Sequence, residues 1–109
     1  MSTTEETRFE AVLAASELQL REPVAVTVGD RRVCLVRLED GVFGFDDRCP
    51  HRGGSLARGA VCDSVITCAF HTWQFDVRTG QLVRLRAPDR LALVETRERD
   101  GVIEVGLPG

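Results

Sequence analysis

Two cysteines and two histidines form two short pairs near the middle of the chain, Cys49 with His51 and Cys68 with His71. The spacings are Cys-x-His and Cys-x-x-His, so each loop can present one thiolate and one imidazole to a common point. The chain has two histidines in all, and any imidazole chemistry must therefore occur here. Such a set can hold one zinc ion, or an iron-sulfur cluster in which histidines replace two of the four cysteines.

The mixed composition of each pair bears on the choice between these two metal groups. Structural zinc sites usually group their ligands in chemically uniform pairs, such as two Cys-x-x-Cys knuckles. A mixed pair suits an asymmetric binuclear cluster, in which one iron takes both thiolates and the other takes both imidazoles. The pattern favours the cluster, and zinc stays open as the alternative.

A longer motif surrounds the four residues. Residues 49–54 read Cys-Pro-His-Arg-Gly-Gly, and residues 68–76 read Cys-Ala-Phe-His-Thr-Trp-Gln-Phe-Asp, with Thr79-Gly80 behind them. This arrangement closely resembles the Rieske 2Fe-2S signature. The resemblance implies one 2Fe-2S cluster per chain, with one iron held by Cys49 and Cys68 and the other by His51 and His71.

The resemblance also separates two branches of that family. Rieske proteins of respiratory complexes carry two further cysteines in a disulfide, and the corresponding positions here are Gly54 and Phe70. Their hydroxyl donors to the cluster are replaced here by Trp73 and Phe75, and the chain has no tyrosine. Fewer donors to sulfur predict a potential near the low end of the Rieske range, about −150 mV rather than about +300 mV.

Strand and turn signals run through the rest of the chain and predict an all-β fold. The length of 109 residues fits one domain, residues 1–109. The resemblance implies an antiparallel β base from residues 1–44 and 87–109, with a small cluster-binding subdomain inserted at residues 45–86. Helical propensity is confined to Ala11–Leu18, where the resemblance implies a short turn after the first strand. Predicted strands are Pro23–Val28, Arg32–Leu38, Val42–Asp46, Val65–Cys68, Gln74–Val77, Leu91–Arg97 and Val102–Val105.

The two remaining cysteines, Cys34 and Cys62, are predicted to be packing residues. Cys34 lies in the apolar run Val33–Val36, which is typical of a buried strand. Cys62 lies between the two ligand pairs and could approach the metal group, but a small buried hydrophobic residue is the favoured interpretation. We expect no disulfide between them.

Charge is distributed unevenly along the chain. The net charge is −3, yet residues 48–90 contain seven arginines and three acids, a balance of +4, which leaves −7 for the remainder. If the ligand loops form one tip, Arg52 and Arg58 could attract an acidic patch on a partner. The alternative is an ordinary mixture of solvated charges. Nucleic acid is a poor candidate ligand for an acidic chain without basic stretches interleaved with aromatic residues.

Neither an export signal nor a membrane anchor is apparent. The first twenty residues lack a basic start followed by a long apolar run, and no apolar stretch approaches the length of a bilayer span. We expect a cytoplasmic protein that does not bind membranes.

These features predict an electron carrier rather than an enzyme. Both histidines are already used, and the chain has no Gly-rich dinucleotide fingerprint. The resemblance implies a soluble, monomeric, low-potential Rieske-type ferredoxin that takes one electron from a flavin-dependent reductase. It would deliver the electron to a terminal Rieske oxygenase of the kind that hydroxylates aromatic rings. The alternatives are the Rieske-like small subunit of an assimilatory nitrite reductase and, in another class, a zinc-stabilised interaction module.

Overall fold

The computed structural model describes residues 7–50, 53–69, 73–84 and 87–108. This part of the chain forms eleven β-strands and two short 3-10 turns, Ala15–Glu17 and Leu56–Arg58. The paired strands are all antiparallel, which confirms the predicted all-β fold. The strands are β1 (Thr7–Ala14), β2 (Val24–Val28), β3 (Arg31–Leu38), β4 (Gly41–Asp46), β5 (Ala60–Cys62), β6 (Val65–Thr67), β7 (Gln74–Asp76), β8 (Leu82–Val83), β9 (Leu93–Val94), β10 (Thr96–Arg99) and β11 (Val102–Pro108).

The strands are arranged in three sheets. The first has the order β1-β11-β10, the second β2-β3-β4-β9, and the third β5-β6-β7-β8. The first two sheets draw on both ends of the chain and form the predicted base. The third comes from the sequence between β4 and β9, as expected for an inserted subdomain. The boundaries at residues 45 and 86 stay a prediction.

Strand β3 is buried on both of its faces. Val33 and Leu35 face a core that also contains Ile103 of the first sheet. The alternate residues Cys34 and Val36 face a second core. Successive side chains of a strand point to opposite faces, so a continuous apolar run suits a strand buried between two layers. The second core contains Cys49, Leu56, Ile66, Cys68, Phe75, Val77 and Leu91 beside the residues of β3 and β4.

Two exposed ion pairs attach the β3–β4 turn to its surroundings. Arg78, just after β7, donates two hydrogen bonds to Asp40 at 3.1 and 2.8 Å. Arg21 donates to Glu39 at 2.7 Å and to the carbonyl of Asp63 at 3.1 Å. The hydrogen bonds from Arg78 and Arg21 lower the pKa values of Asp40 and Glu39. Exposed pairs contribute little to stability, but the Arg78–Asp40 pair and the bond from Arg21 to Asp63 connect the base to the segment of the third sheet.

The turn between β10 and β11 has the sequence and geometry of a tight hairpin. Arg99 pairs with Val102, so the loop is Asp100-Gly101. Both residues have positive φ angles, 53° and 76°. A two-residue loop of this kind matches the twist of its strands and favours Asp-Gly. Asp100-Gly101 therefore forms the two-residue loop of a β10–β11 hairpin.

Two segments differ in detail from the sequence predictions. Ala11–Ala14 end β1, which pairs with β11, despite their helical propensity, and Ala15–Glu17 form the short turn after the first strand that the resemblance implies. The single strand predicted at Leu91–Arg97 is two strands. Glu95 separates β9 from β10, and the chain passes there from the second sheet to the first.

None of the helical segments in the described ranges is long and apolar enough to cross a bilayer.

Candidate metal centre

The first predicted ligand loop begins at the end of β4 and is closed at its base by hydrogen bonds. The N–H of Cys49 donates to the carbonyl of Gly54 at 2.8 Å, and the N–H of Gly53 donates to the carbonyl of Cys49 at 2.7 Å. Gly53 has a φ of +79°, a conformation that glycine adopts without strain. Arg48 and Ser55 pair in an isolated antiparallel bridge just outside the loop. The chain therefore leaves and returns at the same place.

The second predicted ligand loop connects β6 to β7 and closes in the same way. The N–H of Cys68 donates to the carbonyl of Trp73 at 3.0 Å. In both loops a cysteine N–H thus reaches the carbonyl five residues later, although the histidine spacings differ. Strands β6 and β7 pair directly, with Thr67 opposite Gln74. This pairing holds the two ends of the loop together.

The two cysteines of these loops belong to the same core. Cys49 is 1% exposed and Cys68 is 2% exposed, and both pack in the core that extends from β3 to the third sheet. Phe75 is buried in this core and Trp73 packs against it, with their ring centroids 6.4 Å apart. The two rings therefore lie in the same core as Cys68. The two thiols are therefore shielded from solvent on the core side.

The other half of the predicted ligand set lies outside the described residues. This applies to His51 and His71, and also to Arg52 and Phe70. Within the described ranges, no group of three or more His, Cys, Asp or Glu side chains forms a potential metal site. The described half of the set is thus the thiol pair, whose soft sulfur ligands suit an iron-sulfur cluster as well as zinc. The assignment of all four ligands stays a prediction.

A glycine between the loops permits a close approach of two backbones. Gly59 ends the Leu56–Arg58 turn, and a Cβ atom placed on it would lie 2.0 Å from the carbonyl oxygen of Thr67. Thr67 immediately precedes Cys68. Only a residue without a side chain lets the end of the first segment pack against the start of the second loop.

A buried carboxylate next to the first loop was not identified from the sequence. Asp47 is 2% exposed and is the only buried charged residue in the part of the chain described. Its side chain accepts hydrogen bonds from Ser55, Ala57 and Arg32 at 2.6, 2.8 and 3.1 Å. An open cleft of about 380 Å³ lies beside it. A sequence signal existed, since a short acidic residue precedes Cys49 by two positions, but its partners are distant in sequence.

The cysteines outside the two loops differ in their environments. Cys34 is fully buried, as predicted, and burial raises the pKa of its thiol far above the ordinary value. The favoured interpretation of Cys62 as a buried residue is wrong. Cys62 is exposed because it lies at the end of β5, an edge strand of the third sheet. Neither of these two thiols is in a disulfide, in agreement with the prediction.

Comparison with protein families gives one match over most of the chain. Residues 8–96 match the Rieske [2Fe-2S] domain. The anthranilate 1,2-dioxygenase ferredoxin subunit of Burkholderia cepacia is 29% identical over 94 residues, which cover 86% of this chain and 87% of that protein. The 3-phenylpropionate/cinnamic acid dioxygenase ferredoxin subunit of Photorhabdus laumondii is 32% identical, over 67% of this chain and 70% of that protein.

Other relatives are much longer. This chain covers 15% of Protein TIC 55, chloroplastic, of Arabidopsis thaliana, at 34% identity over 82 residues.

Among solved structures, a chain in the complex of reduced oxygenase and oxidized ferredoxin of carbazole 1,9a-dioxygenase is 30% identical, with a TM-score of 0.81; the match covers 89% of this chain and 91% of that chain. A putative small subunit of an NADPH nitrite reductase has a TM-score of 0.80 over 90% of this chain and 97% of its own. Its identity is 18%, so this likeness shows the fold alone.

Proposed function

This chain belongs to the Rieske [2Fe-2S] domain family, and we propose that it is a one-electron carrier that supplies a terminal oxygenase. The observation that carries the proposal is the pair of buried thiols of Cys49 and Cys68. Each is the first residue of a loop that its own N–H closes by a hydrogen bond to the carbonyl five residues later. These residues fit a [2Fe-2S] cluster, which accepts and releases one electron when bound. A purified protein that contains zinc and shows no redox activity would contradict the proposal.

The chain's own residues have distinct proposed roles. Cys49 and Cys68 would hold one iron, and both thiols are buried in a core that excludes water. We assign the second iron to His51 and His71, on the basis of their positions in the family's motif. Trp73 and Phe75 stand where hydroxyl donors to sulfur occur in the high-potential proteins, and for this reason we place the potential near the low end of the Rieske range, about −150 mV.

The proposed partners are a flavin-dependent reductase as electron donor and a terminal Rieske oxygenase as acceptor. Support comes from relatives of similar length that are named ferredoxin subunits of dioxygenases, and from the likeness to a chain of the carbazole oxygenase–ferredoxin complex. We propose a monomer in the cytoplasm, where Cys34 and Cys62 would stay reduced. The aromatic substrate of the oxygenase is a further proposal, and it rests on the names of these relatives.

A stopped-flow experiment tests the carrier role. The protein is reduced with dithionite, freed of excess reductant by gel filtration, and mixed anaerobically with the oxidised terminal oxygenase of a carbazole or anthranilate dioxygenase system. We expect the protein to lose its electron while the oxygenase gains one, in equal amounts. Failure to reduce either oxygenase, together with co-purification of a large sirohaem-containing chain, would favour the nitrite reductase subunit instead.

A further inference from the structure

We propose that Asp47 is a positioning residue that holds the Cys49 loop closed and whose buried negative charge lowers the reduction potential of the cluster. This inference rests on the proposed function, because it requires a cluster at the Cys49 loop. Asp47 is not one of the four ligands that the family's motif implies.

The hydrogen bonds of Asp47 join the two stems of the first loop. Oδ1 accepts from the N–H of Ala57 at 2.8 Å, and Oδ2 accepts from the hydroxyl of Ser55 at 2.6 Å. The backbone takes part as well, since the N–H of Leu56 donates to the carbonyl of Asp47 at 2.7 Å. Residue 47 precedes the Cys49–Gly54 loop and residues 55–57 follow it. These three bonds therefore fix the width of the loop at its base.

The same residue attaches the loop to the central strand. Arg32 of β3 donates from Nε to Oδ2 of Asp47 at 3.1 Å, and the N–H of Asp47 donates to the carbonyl of Arg32 at 3.0 Å. Because β3 is buried on both faces, it provides a rigid support. These two bonds thereby attach the base of the Cys49 loop to β3.

The charge of Asp47 is only partly balanced. Its side chain is 3% exposed, whereas that of Arg32 is 61% exposed, so solvent screens the cation more than the anion. The carboxylate also lies close enough to Cys34 for its charge to contribute to the raised pKa of that thiol, after the larger effect of burial. A fixed negative charge two residues from Cys49 opposes the addition of an electron nearby. It therefore favours the oxidised state.

Two substitutions with opposite changes of charge test the effect of the Asp47 carboxylate on the reduction potential. Asp47→Asn keeps an oxygen acceptor but removes the charge, and we expect its potential to shift upward. Arg32→Gln keeps the carboxylate and its bonds to residues 55–57 but removes the cation, and we expect its potential to shift downward. Asp46→Asn is the matched control, since it makes the same charge change one residue away on a half-buried side chain that bonds to the N–H of Arg48. Its shift should be smaller than that of Asp47→Asn.

Ser55→Ala tests the loop without changing any charge. Loss of the 2.6 Å bond to Asp47 should make release of iron to a chelator faster than in the wild type, because this bond is one of the three that join the two stems of the loop. The potentials are measured by redox titration and the release by the decay of visible absorbance in excess EDTA. A purely structural role would lower the unfolding temperature of these variants and leave their potentials equal to that of the wild type.

The outcomes distinguish this inference from the proposed function. Wild-type protein without iron and sulfide would overturn the proposed function itself. If the wild type holds a cluster, unchanged or same-sign potential shifts in Asp47→Asn and Arg32→Gln would overturn the role of the charge. Iron release from Ser55→Ala at the wild-type rate would overturn the role of the loop. If Asp47→Asn does not retain a cluster, Arg32→Gln alone decides the first question by the sign of its shift.

Discussion

The thiols of Cys49 and Cys68 are buried to the same degree but approach the site from different segments. Cys49 follows β4 of the base, and Cys68 follows β6 of the third sheet. Both lie in one apolar core with Leu56 and Phe75. A metal group held by both would therefore tie the inserted segment to the base in addition to the packing of the core. Its removal should loosen the two loops before it affects the sheets.

Substitution of either predicted cysteine ligand should abolish cluster binding. In Cys49→Ser and Cys68→Ser we expect iron and acid-labile sulfide to fall to background, because a serine oxygen is a harder and poorer ligand for this cluster. Cys62→Ser makes the same chemical change on an exposed strand end and should retain the wild-type content. Full iron and sulfide in either ligand variant would contradict the assignment.

The thiols outside the site should differ in reactivity. In the folded protein Cys62 should react with a maleimide within minutes at pH 8, whereas Cys34 should react only after unfolding. Burial keeps the Cys34 thiol protonated, since it raises the pKa far above the ordinary value, and the thiolate is the reactive form. Mass spectrometry counts the labels, and Cys62→Ser should take up none under native conditions. Rapid labelling of Cys34 in that variant would disagree with the structure.

At this scale the sequence identified the residues whose chemistry is local. The two Cys/His pairs could be recognised because their ligands are two or three residues apart. The network of Asp47 could not, because Ser55, Ala57 and Arg32 are eight, ten and fifteen residues away. Those separations have no periodicity. The groups come together only because β3 pairs with β4 and the turn at residues 56–58 packs beside them.

At the scale of elements, the packing of the first two sheets depends on a close contact at Gly44. This residue of β4 is buried, and a Cβ atom placed on it would lie 2.6 Å from the methyl carbon of Thr96 on β10. The hydroxyl of Thr96 donates to the carbonyl of Val42 at 2.8 Å. The absence of a side chain at position 44 thus allows the second sheet to approach the first.

Gly44→Ala should destabilise the protein, and a second substitution should restore part of the loss. We expect a decrease of about 1–3 kcal/mol in the free energy of unfolding, as for other overpacked cores. Thr96→Ser removes the obstructing methyl group and keeps the hydroxyl, so the double variant should be more stable than Gly44→Ala alone. Denaturant unfolding of the four proteins measures the coupling. Strictly additive losses would show that the Thr96 methyl group is not the obstacle.

The sequence predicted the long strands better than the short ones. Strands β2, β3 and β4 were found within about one residue, because turn residues bound each of them. Strands β5 and β8 were missed, since three and two residues carry no detectable alternation. The N-terminal segment was ambiguous because Ala11–Leu18 has helical propensity, and its pairing with β11 is a contact across most of the chain.

At the scale of the whole molecule, the structure refines the distribution of charge. The seven arginines of residues 48–90 are not equivalent. Arg78 is neutralised by Asp40 of the base, and Arg90 donates to the carbonyl of Thr79. Among the described residues, Arg48, Arg58 and Arg84 are exposed and form no ion pair. The basic surface available to a partner is therefore smaller than the sequence suggests.

Electron delivery to an acidic partner should depend on salt and on Arg58. The second-order rate constant should fall as ionic strength rises, because screening weakens electrostatic steering. Arg58→Gln should lower the rate at low salt, and the difference should disappear at about 1 M salt, where the screening length is about 3 Å. Arg8→Gln makes the same charge change on an exposed residue of β1 in the base and should leave the rate nearly unchanged. Equal effects of the two variants would contradict docking through the ligand loops.

The most direct test of the account is a redox titration of the purified protein monitored by electron paramagnetic resonance. We expect a rhombic signal that appears on reduction, follows a one-electron Nernst curve and has a midpoint near the low end of the Rieske range. The same sample should contain two iron and two acid-labile sulfide per chain, as a [2Fe-2S] cluster requires. A colourless protein that contains zinc and gives no signal on reduction would contradict the central claim.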